Sequence, residues 1–211
     1  SAGTIAAGDR LKQIWPDHKI VGLEPIQCPT LYNNGYGAHD IQGIGDKHVT
    51  WIHNVWNTDA MMCIDDIDCK KVLQVFEEAS GRAALVKRYG IDSAEMEMLG
   101  GLFGISGICN VIGAIKTAKY YNMGKDDVVV TVATDAIDRY HSVMADMRAA
   151  YGAIDDVAAA VNPQHRGLQR RTADRRDDAH GRARVWQLEN LQRHVRRKAR
   201  RGEGQPAHHA Q

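Results

Sequence analysis

The sequence predicts an α/β fold with an open, mostly parallel sheet, and three observations predict it. The chain opens on Ser1-Ala2-Gly3-Thr4-Ile5-Ala6-Ala7-Gly8, a glycine-containing turn that runs into a helix. A strand at Lys19–Glu24 follows, and turn, helix and strand make half of a βαβ unit. Asp127–Thr134 (DVVVTVAT) is a β-branched run of the kind buried on both faces of a parallel sheet. With 211 residues, 44% of them hydrophobic, the chain is long enough for one sizeable core.

The elements follow in order. Thr4–Trp15 reads as a helix with Ile5, Leu11, Ile14 and Trp15 on one face, ended by Pro16-Asp17. The strand Lys19–Glu24 stops at Pro25. Residues 27–58, rich in Gly, Asn and His, read as a long loop with short elements, a kind that is usually functional. Ala60–Ile64 reads as a second strand, followed by Asp65-Asp66, and Asp68–Ala79 as a helix with Val72, Val75 and Phe76 inward. Leu99–Ile105 is a short strand or turn. Ser106–Tyr121 is a helix, with Ile108, Val111, Ile112 and Ile115 at helical spacing and Asn122-Met123-Gly124 closing it. Asp135 then stands at the carboxyl end of the valine run, where open α/β sheets place their ligands. Ile137–Tyr151 reads as the last helix.

The formal net charge of +1 averages two unlike pieces. Pro163–Gln211 holds 12 Arg and 1 Lys against 5 acids, whereas Ser1–Asn162 holds 14 basic and 21 acidic residues. Residues 1–160 are read as the domain and 161–211 as a basic, low-complexity, disordered tail. Such a tail attracts polyanions such as nucleic acid non-specifically, but it lacks a recognisable nucleic-acid-binding fold. Its abrupt switch to Arg, His, Gln and Ala is also what a GC-rich gene yields when read out of frame. Cys28, Cys63, Cys69 and Cys109 form no Cys-x-x-Cys pair and read as buried free thiols of a reducing, cytoplasmic compartment. No run approaches the ~18 apolar residues of a membrane span. His39, His48 and His53 fit no standard metal-ligand spacing, so no metal is assigned.

Five segments together carry a family resemblance. SAGTIAAGDRLK resembles a phosphate loop and its helix, for which cysteine synthases use Gly-Thr-Gly-Gly-Thr. KIVGLEP resembles their valine-rich strand ending in Glu-Pro. His39-Asp40-Ile41-Gln42-Gly43-Ile44-Gly45 is similar to His-Lys-Ile-Gln-Gly-Ile-Gly, and Gly104-Ile105-Ser106-Gly107 to Gly-Ile-Ser-Ser-Gly. VVVTVATDAIDRY resembles the closing strand and its Pro-Asp-Ser-Gly-Glu-Arg-Tyr turn. In this order, across residues 1 to about 145, they resemble the C-terminal portion of the fold-type II pyridoxal-phosphate enzymes, cysteine synthase-like. Ala2, the missing second Ser, and residues 46–58 and 80–98 depart from ordinary cysteine synthases, which leaves the substrate open.

The resemblance implies a three-layer fold and pyridoxal 5'-phosphate as cofactor. It implies β-elimination or β-replacement on a serine- or cysteine-like amino acid, by a lyase or transferase that is a homodimer when intact. It assigns the cofactor phosphate to Ser1, Ala2, Gly3 and Thr4, where small residues and a helix N-terminus suit an anion. An ordinary cap by Ser1 or Thr4 is the plainer alternative. Ser106 matches the serine that faces the pyridine nitrogen, or else simply caps its helix. Asp135 supports the same network or caps the Ile137 helix. Gly43 and Gly45 line the substrate side by backbone contact, or form a plain turn.

The Schiff-base lysine and the substrate-carboxylate loop belong to the family's N-terminal half, and no lysine here sits in a matching context. The chain is therefore read as a fragment, inactive alone, of a truncated, split or frameshifted gene product. A nucleotide-binding Rossmann domain, the rival enzyme reading, finds just a fragment of its Gly-x-Gly-x-x-Gly in Ser1-Ala2-Gly3. A non-catalytic remnant with a polyanion-binding tail is the rival outside enzymes.

Overall fold

A computed structural model describes residues 2–154. The basic tail read from the sequence, residues 161–211, lies outside them, as does Ser1. Helix α1 (Ala2–Ile14) leads to strand β1 (Val21–Pro25). A long connection carrying the single-turn α2 (Thr30–Asn33) then reaches β2 (Ala60–Ile64). β1 and β2 are parallel, in register from Val21 opposite Ala60 to Pro25 opposite Ile64. Four helices follow: α3 (Asp66–Glu77), α4 (Ala79–Tyr89), α5 (Ser93–Leu99) and α6 (Ile105–Tyr120). The 3₁₀ turn Ile137–Arg139 precedes α7 (His141–Tyr151).

The core lies between the sheet, α6 and α3. Ile64 from β2, Cys69 and Leu73 from α3, and Ile105, Ile108 and Cys109 from α6 are all buried in one cluster with Ile41 and Tyr140. α6 fits there because its apolar residues recur at helical spacing. All four cysteines are buried free thiols, as expected. The Cys69 thiol donates to the Ile105 carbonyl at 3.2 Å. Its bond with Cys109 and its burial push its pKa upward, so it stays a neutral core group.

The sharp break between α3 and α4 is held by buried polar groups. Arg82 donates to the carbonyls of Phe76 (2.8 Å) and Glu77 (2.9 Å) at the end of α3. Glu78 accepts from Gln74, from Arg148 and from the Ile154 N–H, which fastens the chain after α7 to this break. At its other end α3 is capped by Asp65, whose carboxylate accepts the N–H groups of Ile67 (2.9 Å) and Asp68 (3.1 Å). Asp65→Ala should cost about 1 kcal/mol, read as a lower urea midpoint at unchanged slope.

Four expectations are corrected. Ile14 and Trp15 are 49% and 59% exposed and do not share the buried side of α1. Asp127–Thr134 is irregular chain rather than a buried strand, with Val128 78% and Val130 82% exposed. A β-branched run becomes a strand when a neighbouring strand takes its backbone groups, and among the described residues β1 and β2 pair with each other alone. The last helix begins at His141, because the chain turns at Tyr140 to bury its ring. The first helix starts at Ala2, so Ala2–Thr4 form its first turn rather than a loop before it.

Candidate functional site

The candidate site gathers where β1 and β2 end, the edge at which open α/β sheets bind ligands. The loop 39–45 is fixed there by the acids that follow β2. Asp66 accepts the Asp40 N–H at 3.1 Å, and Lys70 pairs with the Asp40 carboxylate. Gln27 joins the two strand ends, donating to Asp65 (3.2 Å) and accepting the Asp66 N–H (3.3 Å). Ile41 is fully buried and plugs the loop into the core.

Gly43 (φ 89°) and Gly45 (φ 93°) take left-handed conformations that favour glycine. A Cβ on Gly43 would lie 3.9 Å from the Ser106 Cβ, so the loop passes directly over Ser106. A Cβ on Gly45 would stand 2.5 Å from the Pro25 ring and 3.1 Å from His39 Nε2. His39 Nδ1 is buried without a hydrogen-bond partner.

Beneath Gly43, four side chains form one network. Ser106 Oγ lies 2.6 Å from Thr134 Oγ1 and donates to Asp135 Oδ1 at 3.2 Å. Thr134 also donates to Oδ1 (3.0 Å), and the Tyr140 hydroxyl donates to Oδ2 (2.6 Å). The Asp135 carbonyl accepts the Gly104 N–H at 2.7 Å. Glycine is required at 104, since a Cβ there would meet the Tyr140 ring at 2.6 Å and Asp135 Oδ1 at 2.7 Å.

Burial disfavours the Asp135 carboxylate, but the bonds from Tyr140, Thr134 and Ser106 outweigh it and hold its pKa below the usual range. Burial, then the bond to Asp135, raises the Tyr140 hydroxyl to about 12. The Asp135 contribution to stability is thus present above the ordinary Asp pKa and is lost as pH falls through the lowered folded value. Asp135→Asn should remove that part of the acid sensitivity, seen as a flatter midpoint-against-pH curve below pH ~4.

The structure brings Gly43, Ser106 and Asp135 together, with Gly45 on the same loop. Neither polar residue acts as a cap: Gly104 is the N-cap of α6, and the Asp135 carboxylate serves the network. Ala2, Gly3 and Thr4 stand on α1, which is tied to the end of the 27–58 connection. There Asp9 accepts from Asn54 (2.9 Å) and Asn57 (2.6 Å), and Lys12 pairs with Asp59 at 2.8 Å. Ser1 lies outside the described residues. Among those residues no three His, Cys, Asp or Glu side chains converge to hold a metal ion. No helix there is long and apolar enough to cross a membrane.

No protein-family model matches the chain. Cysteine synthase B of Campylobacter jejuni is 29% identical over 143 residues, which are 67% of this chain and 40% of that protein. The crystal structure of O-acetylserine sulfhydrylase isoform 3 from Entamoeba histolytica superposes with TM-score 0.53 at 25% identity, covering 76% of this chain and 41% of that one. The chain is cysteine synthase-like. Its fold is that of the fold-type II pyridoxal-phosphate enzymes, over part of their length. A hydrogen sulfide-producing enzyme from Fusobacterium nucleatum shares the fold, with TM-score 0.51 at 24% identity over 75% of this chain and 40% of that one. The cysteine synthase-like chain thus spans about two fifths of the length of these relatives.

Two members of the network in this cysteine synthase-like chain, Thr134 and Tyr140, escape sequence reading. Tyr140 falls within the quoted DRY segment, and its spacing of five from Asp135 is the available signal. Thr134 falls in the same segment, next to Asp135, but the valine run conceals it as one more β-branched residue.

Proposed function

We propose that this chain is the C-terminal part of a pyridoxal-phosphate-dependent lyase or transferase of the cysteine synthase type. Its reaction is β-elimination or β-replacement on a serine- or cysteine-like amino acid. The observation that carries this reading is the passage of Gly43 over Ser106, backed by Asp135, where the parallel strands end.

The residues present fit the cofactor in two respects. Gly43 brings side-chain-free backbone within van der Waals reach of Ser106, and His39 Nδ1 is an orphaned polar atom on the same loop. Gly3 has no atom within 4 Å of a Cβ position, so the first turn of α1 is open to an anion. Pyridoxal phosphate supplies an electron sink when bound. Ser106 would hold its ring nitrogen, and Asp135 would fix the Ser106 hydroxyl. Ser1, Ala2, Gly3 and Thr4 would hold the phosphate, and Gly43 and Gly45 would face the amino-acid substrate with backbone groups.

The family resemblance assigns the Schiff-base lysine to the N-terminal half of the enzyme. Lys12, Lys70 and Lys116 are engaged with Asp59, Asp40 and the Cys63 carbonyl. On that assignment the chain alone is expected to be inactive, and by the same resemblance the intact enzyme is proposed to be a cytoplasmic homodimer.

Sequencing the DNA on both sides of this coding segment tests the reading. A frame encoding a lysine-bearing half, joined to this chain, should yield a yellow protein that turns over an activated serine, and Ser106→Ala should alter its visible spectrum. A joined protein that stays colourless with added cofactor overturns the proposal. A non-catalytic, polyanion-binding remnant would then be favoured.

A further inference from the structure

Residues 46–58 depart from ordinary cysteine synthases, and the proposed chemistry makes no use of them. Of these, residues 47–51 form one wall of a cavity of about 730 Å³, well inside the range of small-molecule sites. Asn34, Gly35 and Tyr36 make the facing wall. The Thr30 hydroxyl joins the walls, donating to the Gly35 carbonyl (3.1 Å) and the Asp46 carbonyl (2.6 Å). The two sides are thus linked through one side chain. None of the lining residues belongs to the Ser106 network.

The lining has a definite chemistry. Trp51 is 94% exposed and Tyr36 75%, so two aromatic rings stand uncovered in one cavity, with Val49 beside them. Exposed aromatic rings favour a flat, apolar partner that stacks on them. The cationic lining residue is Lys47, and no carboxylate is among the lining residues. Asp46, beside Lys47 along the chain but outside the lining, accepts the His48 N–H at 3.0 Å and lies 3.5 Å from His48 Nδ1. The cavity therefore combines aromatic surface with the Lys47 ammonium and donors from Asn34 and Thr50.

We propose that this cavity binds a small planar aromatic molecule carrying an anionic group, a carboxylate or a phosphate. The ring stacks on Trp51 and Tyr36, and the anion meets the Lys47 ammonium. The proposal stands independently of the cofactor assignment at Ser106.

The test follows the indole N–H signals of the full chain by ¹H–¹⁵N spectroscopy, with Trp51 assigned through Trp51→Phe. The probes are indole-3-acetate and adenosine monophosphate, with tryptamine and inorganic phosphate as controls. Both aromatic anions should shift the Trp51 signal saturably, and neither control should. Trp51→Ala, followed through the backbone amides of Tyr36 and Val49, should weaken binding at least tenfold, and Lys47→Gln several-fold. Both side chains line an open cavity, so the other tryptophan signals should keep their positions and report an intact fold. Ser106→Ala should leave the binding unchanged, which separates this site from the cofactor reading. The proposal is overturned if neither anion moves Trp51, or if tryptamine binds as well as indole-3-acetate. Survival of binding in both variants overturns it too, as do shifts confined to Trp186 in the basic tail.

Discussion

Ile108→Ala should destabilise the domain by about 2–5 kcal/mol. Ile108 is fully buried in the first turn of α6, in the cluster that joins α6 to Ile64 of β2 and Leu73 of α3. Truncation removes apolar surface from the core and leaves a hole that three rigid elements cannot close. Small domains carry about 5–15 kcal/mol in total, so this one change consumes a large share. Ile108→Val keeps most of the volume and should cost about 0.5–1.5 kcal/mol. Urea unfolding followed by circular dichroism checks both. A similar midpoint shift for the two variants would mean that α6 is not the centre of the core.

Glu78→Ala should cost about 2–3 kcal/mol, chiefly by stranding the buried Ile154 N–H. Glu78 is 5% exposed and accepts from Gln74 (3.0 Å), Arg148 (2.8 Å) and Ile154 (2.7 Å). Arg148 is 59% exposed, so water screens much of its attraction, and the backbone bond matters more. Burial alone would raise the Glu78 pKa, but the bonds from Arg148, Gln74 and Ile154 lower it. Its stabilisation is therefore complete above the ordinary Glu pKa and fades as pH falls through the lowered folded value. Glu78→Ala should lose most at neutral pH and approach the parent protein in acid. Hydrogen exchange should show the 152–154 segment opening first. Unchanged protection there would refute the clamp.

Much of this architecture was legible in the sequence, for a physical reason. α6 and β2 stand where their apolar spacing places them, because burial against the core decides both. α4 and α5 are not legible from periodicity: α4 buries Gly81 alone and α5 buries Met96 alone, so neither shows a strong apolar stripe. Their signals were local instead. Gly90 ends α4 in a left-handed conformation, and Asp92 caps α5. The valine run misled because its composition suits a strand while its pairing depends on distant chain. In the candidate site, Ser106, Asp135 and Gly43 were legible through the family segments. The Glu78 clamp was not, since its bond to Ile154 spans 76 residues and leaves no periodic trace.

The exposed valine run has a consequence for the protein in concentrated solution. Val128, Val130 and Val132 present β-branched side chains to water on a chain whose backbone groups can template another copy. Such a segment sets a solubility ceiling through intermolecular strand addition. Asp126 and Asp127 before it and Asp135 after it act as gatekeepers, since each added copy would stack like charges. Replacing Asp126 and Asp127 together by asparagine would remove much of that barrier, and turbidity should then rise in concentrated solution while the fold is kept.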